Sequence, residues 1–562
     1  MSWEEFDKYP HTICGVIEKW AKETPDKIAL IIYNTEKQVT YKEFNGNIMA
    51  MALKLYNMGF RKGNILVTSL PFLYEHIVLG YACAKLGVMW TPLDLRLKPA
   101  EIMRSLELLK EKAKMYCHLG KTSAANFGMI GAAIKKEVTW LKYVVQFSTP
   151  EDKYRNGIIP AFQIAEEAKN EYLEAIKNPD TMKDFLEECS KVDEKDPILI
   201  IFTTGSTGFP KPAMITNIGI TCQNLCLAKG IHVEDDDLML VNLPPSHVGG
   251  TTEQLMTTLF KGGTCVVLHI FNPTNTLDAI QKYKVTIFGQ IPALFVMEWR
   301  LPNYNNYDLS SLKYAIYGGQ SVDRPFLEKL SSMAPKFGSG LGLTEVSGFC
   351  SYTPLDGTVD DILESLGHDY PITPLTIRSQ MKEDRTAGEE LANGEIGEIC
   401  YSGPQLFVGY FNNEEATRNT ISVDGILYTG DMGFKGNNNW LHLAGRRKFL
   451  IKPKGYQVFP PEVEVFIGEL PQVEFVGVVG AKHEVFSEGI VAYIKLKEGE
   501  KLTEKNVMEH CKGMAAFKRP SLVVFLDEFP LNRVAKTDYV TLRERIQADI
   551  DNARVNGGWD AP

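Results

Sequence analysis

Apolar residues in the N-terminal stretch of the chain recur alternately at helical and strand periods. Residues 12–32 show a helical pattern followed by a short apolar run, and Tyr41–Gly59 is amphipathic at the helical period. Asn64–Leu70 is an apolar run of strand length, and Phe72–Leu86 is a helical stretch that ends at Gly87. This alternation predicts βαβ units, and therefore a parallel sheet covered by helices.

The alternation is interrupted between residues 149 and 196, where Glu, Lys and Ala dominate. This composition predicts surface helices exposed to solvent, and we assign no chemistry to them. The alternation resumes at Pro197. The apolar runs that predict strands beyond this point lie at 198–202, near 239–243, and at 264–270, 285–291 and 312–319.

The pattern of predicted secondary structure changes again near residue 395. Residues 394–403 have a β-rich pattern, and a basic stretch follows at 445–455. The last hundred or so residues contain strands of their own and a predicted helix through 507–517. We therefore predict an α/β protein with a large N-terminal body of α/β subdomains, residues 1–447, and a small α+β C-terminal domain, residues 448–562.

Composition narrows the functional classes. The 562 residues include 60 Lys and Arg against 70 Asp and Glu, a formal charge of -10, which argues against a nucleic-acid partner. The ten cysteines are dispersed, so ordinary thiols in a reducing compartment are expected rather than a metal site. The N-terminus lacks the apolar core of a signal peptide, and no run of apolar residues is long enough to span a membrane. We expect a cytoplasmic protein without a transmembrane segment.

A glycine-rich loop follows the predicted strand 198–202. Glycines allow a close approach to an anion, while backbone N–H groups, hydroxyls and a lysine can surround a phosphate. The spacing is not that of a Walker A loop, which argues against a P-loop ATPase, and a surface turn is the alternative from this stretch alone. The residues of this predicted phosphate loop are Thr203, Thr204, Gly205, Ser206, Thr207, Gly208 and, after Phe209 and Pro210, Lys211.

The loop resembles the phosphate-loop signature of the adenylate-forming superfamily, which contains acyl-CoA synthetases, aryl-CoA ligases, luciferases and adenylation domains. It departs from the family pattern at Pro212, where a glycine is usual, and at Asn217, where a histidine is frequent. The segment 317–322 is similar to the family's adenine-binding turn, and the resemblance implies that its Gly318, Gly319 and Gln320 line the adenine and the adjoining acyl pocket.

Two further motifs resemble the family and carry chemistry. In GLGLTE, residues 340–345, the resemblance implies that Thr344 contacts the α-phosphate and that Glu345 binds Mg²⁺, although Leu341 replaces the usual aromatic residue. In YTGDMG, residues 428–433, it implies that Asp431 holds the ribose, with Arg446 as a second ribose contact.

The C-terminal part completes the resemblance, which spans about residues 15–545. The family places a hinge at the position of Lys448, which implies that the small domain is mobile. Lys452, Gly455 and Gln457 match positions that approach the adenylate or the pantetheine channel. Lys536 matches the catalytic lysine of the first half-reaction, although Asn532 and Ala535 replace a threonine and a glycine of the motif.

The resemblance to the acyl-CoA synthetase branch implies an AMP-forming acid–thiol ligase. Its substrates would be ATP with Mg²⁺, coenzyme A and a small carboxylic acid, and a homodimer is left open. His247 and Gly342 are expected in the acyl pocket. Because acetate-using relatives have a tryptophan at the position of Gly342, glycine indicates a larger acid: medium-chain, alicyclic or aromatic.

Two alternatives remain at this point. One is an adenylate-forming enzyme with another acceptor, such as a carrier-protein thiol or oxygen. The other is a non-catalytic relative that binds a nucleotide or an acyl group, an alternative that the departures at Pro212, Leu341, Asn532 and Ala535 keep open. Retention of the charged motif residues argues against it, since a binding protein does not need all of them.

Overall fold

A computed structural model describes residues 2–122, 125–149, 151–203, 210–453, 456, 458–483, 487–531, 537–555 and 559. The chain forms two compact units. The first comprises Met1–Leu375 with Tyr401–Ile421, and the second comprises Thr376–Cys400 with Ser422–Pro562. The α/β fold with a large N-terminal body and a small C-terminal domain is as predicted. The boundary and hinge at Lys448 stay predictions.

The first unit contains a seven-stranded sheet that is parallel except at one edge. The strand order is β14-β13-β12-β10-β11-β1-β2, and only β2 pairs antiparallel to its neighbour. The strands are β1 (Ile28–Ile32), β2 (Lys37–Thr40), β10 (Leu238–Val241), β11 (Thr264–Val267), β12 (Ile287–Gln290), β13 (Tyr314–Tyr317) and β14 (Lys336–Gly338).

A second, eight-stranded sheet has the order β19-β9-β8-β4-β3-β5-β6-β7. Its β8, β9 and β19 run antiparallel to one another, while the other pairs are parallel. The strands are β3 (Ile65–Ser69), β4 (Met89–Pro92), β5 (Ala113–Leu119), β6 (Tyr143–Phe147), β7 (Ile159–Pro160), β8 (Pro197–Thr203), β9 (Lys211–Thr216) and β19 (Gly409–Tyr410). A short hairpin of β15 (Gly342–Leu343) and β16 (Gly348–Phe349) belongs to the same unit.

Helices cover these sheets, as the alternation of patterns predicts. The helix predicted from Tyr41 begins there, because Thr40 and Glu43 form a capping box at its N-terminus. The helices of the first unit are α1 (Trp3–Phe6), α2 (Ile13–Glu23), α3 (Tyr41–Asn57), α4 (Tyr74–Lys85), α5 (Pro99–Leu108), α6 (Phe127–Glu137), α7 (Ala161–Ala175), α8 (Pro179–Ser190), α9 (Asn217–Gly230), α10 (Thr257–Phe260), α11 (Pro273–Tyr283), α12 (Pro292–Trp299), α13 (Arg324–Ser331), α14 (Val359–Glu364) and α15 (Glu414–Arg418).

The Glu- and Lys-rich segment forms α7 and α8, which are surface helices as expected. Each nevertheless buries one face: Ile164 and Ala168 of α7 and Phe185 of α8 belong to the same apolar core as β3 and α3. The remaining positions of both helices are largely exposed, so the charged composition reflects the outer face of each helix.

The described part of the second unit contains two small sheets and three α-helices. One sheet has the order β17-β18-β20-β21, and the other has the order β22-β23-β24. The elements are β17 (Leu375–Arg378), β18 (Gly397–Tyr401), β20 (Leu427–Lys435), β21 (Leu441–Arg446), α16 (Pro460–Gly468), β22 (Val473–His483), β23 (Ser487–Leu496), α17 (Glu504–His510), β24 (Leu522–Phe525) and α18 (Tyr539–Val555).

One helix prediction in this unit is wrong. The helix expected through 507–517 ends at His510, and two 3-10 turns follow at Cys511–Gly513 and Ala516–Lys518. Gly513 disfavours continuation because glycine is among the weakest helix formers. The chain then turns into extended backbone at Met514.

Two findings bear on the cysteines and on membranes. All ten cysteines are free and buried, and the described residues contain no group of three or more His, Cys, Asp or Glu side chains suited to hold a metal ion. Within the described part of the chain, no helix is both long and apolar enough to cross a membrane.

A π-helix at Gly249–Met256 precedes α10 and depends on a glycine. A Cβ on Gly250 would lie 2.5 Å from the carbonyl oxygens of Leu243 and Pro244, which are backbone atoms that cannot rotate away. Gly46, within α3, offers a matched control because a Cβ there would meet nothing within 4 Å.

We predict opposite effects of adding one methyl group at these two glycines. Gly250→Ala should lower the stability of the first unit by about 1–3 kcal/mol through overpacking. Gly46→Ala should raise it by about 0.5–1 kcal/mol, because alanine is the better helix former. Denaturant midpoints measured on the two variants check this, and equal effects would contradict the geometry at Gly250.

Candidate active site

The predicted phosphate loop connects two antiparallel strands of the eight-stranded sheet. Thr203 ends β8 and pairs with Lys211, the first residue of β9, so the loop is anchored on both sides. Thr204, Gly205, Ser206, Thr207 and Gly208 lie outside the described residues. The buried Thr203 hydroxyl has no hydrogen-bond partner among the described residues, so it can serve a ligand at the loop.

Lys211, Tyr410 and Glu345 form a connected group at this edge. Strand β19 pairs with β9 and places Tyr410 opposite Ala213, with the Lys211 ammonium 4.3 Å from the centre of the Tyr410 ring. The Tyr410 hydroxyl donates a hydrogen bond of 2.6 Å to Oε1 of Glu345. The structure therefore unites the predicted phosphate lysine and the predicted Mg²⁺ ligand through a tyrosine that sequence analysis did not identify.

Electrostatics keeps Tyr410 a hydrogen-bond donor and Glu345 its acceptor. Burial and then the Glu345 carboxylate raise the pKa of Tyr410, so its hydroxyl stays protonated and remains a donor. The backbone carbonyl of Glu345 also accepts a hydrogen bond of 2.9 Å from the amide of Phe407. Glu345 is thus fixed at both its side chain and its backbone.

Thr344 and Glu345 lie in a tight turn between β15 and β16. The turn is a 3-10 helix, Thr344–Val346, that ends at Ser347 in the left-handed conformation with φ 63°. The side-chain amide of Gln405 donates to the carbonyls of Val346, at 2.8 Å, and Phe349, at 2.6 Å. Sequence analysis missed Gln405, because a single glutamine in a loop carries no local signal of a contact made so far along the chain.

The predicted adenine-binding turn follows β13. Gly318 donates its N–H to the carbonyl of Gln290 at 3.3 Å, and a Cβ on Gly318 would lie 2.8 Å from the ring of Phe349. Gly319 has φ 93°, which favours glycine. Gln320 is half-buried beside them. The turn therefore packs against the strand that ends the Thr344 hairpin.

Of the two predicted acyl-pocket residues, Gly342 lies beside a glutamate, Glu253, and His247 bonds to Gly249, which lies beside the same glutamate. Nδ1 of His247 accepts a hydrogen bond of 3.0 Å from the amide of Gly249. A Cβ on Gly249 would lie 3.5 Å from one carboxyl oxygen of Glu253, and a Cβ on Gly342 would lie 3.4 Å from the other. Burial raises the pKa of Glu253 to about 8. Sequence analysis did not single out this residue.

In the second unit, the predicted ribose contacts are neighbours across one hairpin. Asp431 of β20 pairs with Arg446 of β21, and Nε of Arg446 lies 2.8 Å from Oδ1 of Asp431. Asp431 is buried while Arg446 is half exposed. The buried Glu398 accepts the Gly430 amide and the Arg447 guanidinium, each at 2.8 Å, which holds the turn before Asp431.

The predicted hinge residue Lys448 lies among cations. Burial first, and then Arg446 and Arg543, lower the pKa of Lys448 to about 8. Nη2 of Arg543 also donates to the Lys448 carbonyl at 3.1 Å. Lys452 is exposed, and its backbone amide donates to Glu488. Gly455, Gln457 and Lys536 lie outside the described residues.

Comparison with known proteins identifies the class. The model of the family "AMP-binding enzyme" matches residues 17–411, and that of the "AMP-binding enzyme C-terminal domain" matches residues 462–536. The fold is that of adenylate-forming enzymes. The chain belongs to the AMP-binding enzyme family, and the predicted membership of the adenylate-forming superfamily is confirmed.

Curated relatives and solved structures cover nearly the whole chain. The candidate acyl-CoA synthetase YngI of Bacillus subtilis (strain 168) is 25% identical over 95% of this chain and 97% of its own. The 4-coumarate–CoA ligase CCL1 of Humulus lupulus is 26% identical over 93% and 91%, respectively. The structure of ATP-bound MatB from Rhodopseudomonas palustris, 22% identical, superposes with a TM-score of 0.75 over 94% of this chain and 98% of its own.

Tyr410→Phe should weaken the binding of Mg²⁺ with ATP, because Glu345 loses the hydroxyl that orients it. Loss of such a partner typically costs about 10–100-fold in metal affinity. Tyr33→Phe is the matched control, since the Tyr33 hydroxyl donates to Asp278 at 2.8 Å and has no role in the site. Calorimetric titration of ATP at several Mg²⁺ concentrations checks this. Equal affinities of the two variants would remove Tyr410 from the site.

Proposed function

We propose that the protein ligates a carboxylic acid to coenzyme A at the expense of ATP, through an acyl-adenylate. The observation that carries this proposal is the fixed group of Lys211, Tyr410 and Glu345 beside the glycine-rich loop. It offers a cation and an oriented carboxylate where the family resemblance expects the phosphates of ATP. Membership of the AMP-binding enzyme family supports the same chemistry.

In the first half-reaction, a carboxylate oxygen of the acid attacks the α-phosphorus of ATP and pyrophosphate leaves. The main barrier is the approach of an anion to a polyanion. Lys211, the hydroxyls of Thr203 and Thr344, and the predicted catalytic Lys536 would offset that repulsion. Preorganised donors of this kind are typically worth about 10²–10³ each in rate.

Glu345 has the chemistry of a Mg²⁺ ligand. Its carboxylate is a hard oxygen donor, and its Oε1 is already oriented by Tyr410. Glu345 would hold the Mg²⁺ that accompanies ATP. Bound there, Mg²⁺ would neutralise phosphate charge.

Each unit, taken by itself, offers residues suited to one part of the nucleoside. Asp431 is suited to accept hydrogen bonds from the two ribose hydroxyls, and its ion pair with Arg446 holds the carboxylate in place. The turn Gly318–Gln320 is suited to the adenine, because its glycines leave the backbone open to a flat ring.

In the second half-reaction, the thiol of coenzyme A attacks the acyl carbonyl, and AMP leaves with the bonding electrons of the anhydride. We propose that the small domain turns at Lys448, which removes Lys536 from the site and presents the face around Lys452, Gly455 and Gln457. Rotation about a few residues is a common mode of domain closure.

The acid is proposed to be medium-chain, alicyclic or aromatic rather than acetate. Gly342 carries no side chain that would close the pocket beside Glu253, and His247, which bonds to Gly249, would be a wall residue. Relatives named as 4-coumarate–CoA ligases support an aromatic substrate class. The structure of an anthranilate CoA ligase with anthranoyl-AMP, 19% identical with a TM-score of 0.77, supports the fold alone.

The test is pyrophosphate release from ATP and Mg²⁺ with acids from acetate through octanoate to benzoate and cyclohexanecarboxylate, with and without coenzyme A. We expect acid-dependent release, and thioester and AMP only when coenzyme A is present. Lys536→Ala should lose at least about 10²-fold in rate. The exposed Lys501→Ala should match the wild type.

Other outcomes of the same experiment separate the alternatives. Adenylate formed without thioester would assign a different acceptor. ATP binding without turnover of any acid would contradict the proposed ligase and favour a binding protein.

Gly342→Trp tests the size of the acyl pocket. The indole would fill the space beside Glu253, so kcat/KM for octanoate and benzoate should fall at least tenfold while acetate is retained or improved. Steady-state kinetics with both classes of acid check this. A uniform loss for all acids, acetate included, would show that Gly342 does not select for size.

A further inference from the structure

Glu253 places a carboxyl group among the packed residues of the first unit, where the backbone of Phe349 gives it a hydrogen bond. It lies on the π-helix Gly249–Met256, between residues that are almost all buried. Among the described residues of its own unit, no basic side chain forms an ion pair with it. Short π-helices occur frequently at functional sites, where they redirect side chains.

Gln223 of α9 places an unsatisfied polar group near Glu253. It is fully buried, and its Nε2 has no hydrogen-bond partner among the described residues, although its Oε1 accepts from Asn224 at 2.9 Å. A buried amide left without a partner costs about 1–3 kcal/mol. Such a group is retained when a ligand supplies the partner.

Both polar groups face one glycine of the Thr344 hairpin. A Cβ on Gly348 would lie 2.9 Å from Nε2 of Gln223 and also 2.9 Å from Oε1 of Glu253. Gly348 has φ 137°, in the region that favours glycine. Gly249 and Gly342 also lie beside Glu253, so the backbone of three glycines approaches this carboxyl group closely.

The protonation state of Glu253 determines which kind of ligand group can bind beside it. Burial raises the pKa of Glu253 to about 8, so at neutral pH it is mostly a neutral acid that both donates and accepts hydrogen bonds. A neutral acid gives little stabilisation to an ammonium group. A hydroxyl group suits both residues, because it can accept from the Gln223 amide and donate to Glu253.

We propose that Glu253 and Gln223 bind a hydroxyl group of the acyl substrate, so that the preferred acid is hydroxylated. This inference rests on the proposed function and narrows its substrate class. Gly342, beside Glu253, and Thr344, at the proposed phosphate contact, are two residues apart. At about 3.3 Å per residue of extended chain, this is roughly 7 Å. The hydroxyl is thus expected across a ring or a short chain from the reacting carboxylate.

The test compares acids that differ by one hydroxyl group. The pairs are 4-hydroxybenzoate and benzoate, 6-hydroxyhexanoate and hexanoate, and 4-hydroxy- and unsubstituted cyclohexanecarboxylate. In the best pair, the wild type should favour the hydroxy acid by about 10²-fold or more in kcat/KM, since sites built to hydrogen-bond a substrate group reject analogues that lack it.

Variants connect that preference to the two residues. Glu253→Leu should lower kcat/KM for the hydroxy acid at least tenfold and leave or raise it for the matched acid without the hydroxyl. Gln223→Leu should reduce the preference in the same direction. Glu253→Gln, which keeps size and hydrogen bonding, should preserve it within a few-fold. The ratio of kcat/KM for the hydroxy acid to kcat/KM for the matched acid would not change if the two residues only stabilised the fold.

Several results would overturn the inference. They are no hydroxyl preference in the wild type, an equal loss for both members of a pair in Glu253→Leu, or a stronger preference for the 4-amino or 4-carboxy analogue. Failure of the proposed function is distinguished by calorimetric binding of each acid in the presence of AMP. Hydroxyl-dependent binding that Glu253→Leu abolishes, without turnover, would support the inference and contradict the ligase. Turnover without hydroxyl preference would support the ligase and contradict the inference.

Discussion

The antiparallel edge β8-β9-β19 is the constraint on which the site in the first unit depends. Most of the eight-stranded sheet is parallel, and a parallel strand would carry the chain away from the glycine-rich loop into a covering helix. The antiparallel return instead brings Lys211 back beside Thr203 and lets β19 add Tyr410 next to Lys211. Through Tyr410 the edge also fixes Glu345, which lies on a separate hairpin.

The charge distribution follows from this arrangement. The reaction that we propose concentrates negative charge, so its site needs cations and oriented dipoles that are in place before the substrates arrive. Lys211 and Arg446 are each held by a neighbour in their own unit, an aromatic ring and a buried carboxylate respectively. The acyl pocket is different, because Nε2 of the buried Gln223 has no hydrogen-bond partner among the described residues. A hydrogen bond to the bound acid would offset the cost of burying this group.

Sequence analysis identified what is local along the chain. The helix from Tyr41, the strand before Thr203 and the Thr344–Glu345 motif each carry their signal within a few residues, as a period, a cap or a family pattern. Tyr410, Gln405 and Glu253 act through contacts with residues distant in the chain, and no local pattern marks them. The helix expected through 507–517 failed for the opposite reason: its apolar spacing was helical, but Gly513 breaks the backbone.

The central claim is that the acid is activated as an acyl-adenylate, and transfer of oxygen from the acid to AMP tests it most directly. The acid would be labelled with ¹⁸O in its carboxylate and incubated with ATP, Mg²⁺ and coenzyme A. The masses of the products would then be measured by mass spectrometry. The account predicts AMP that carries one ¹⁸O atom, together with unlabelled pyrophosphate, because the carboxylate oxygen that attacks the α-phosphorus stays with it. Unlabelled AMP, or ADP with labelled phosphate, would contradict the account.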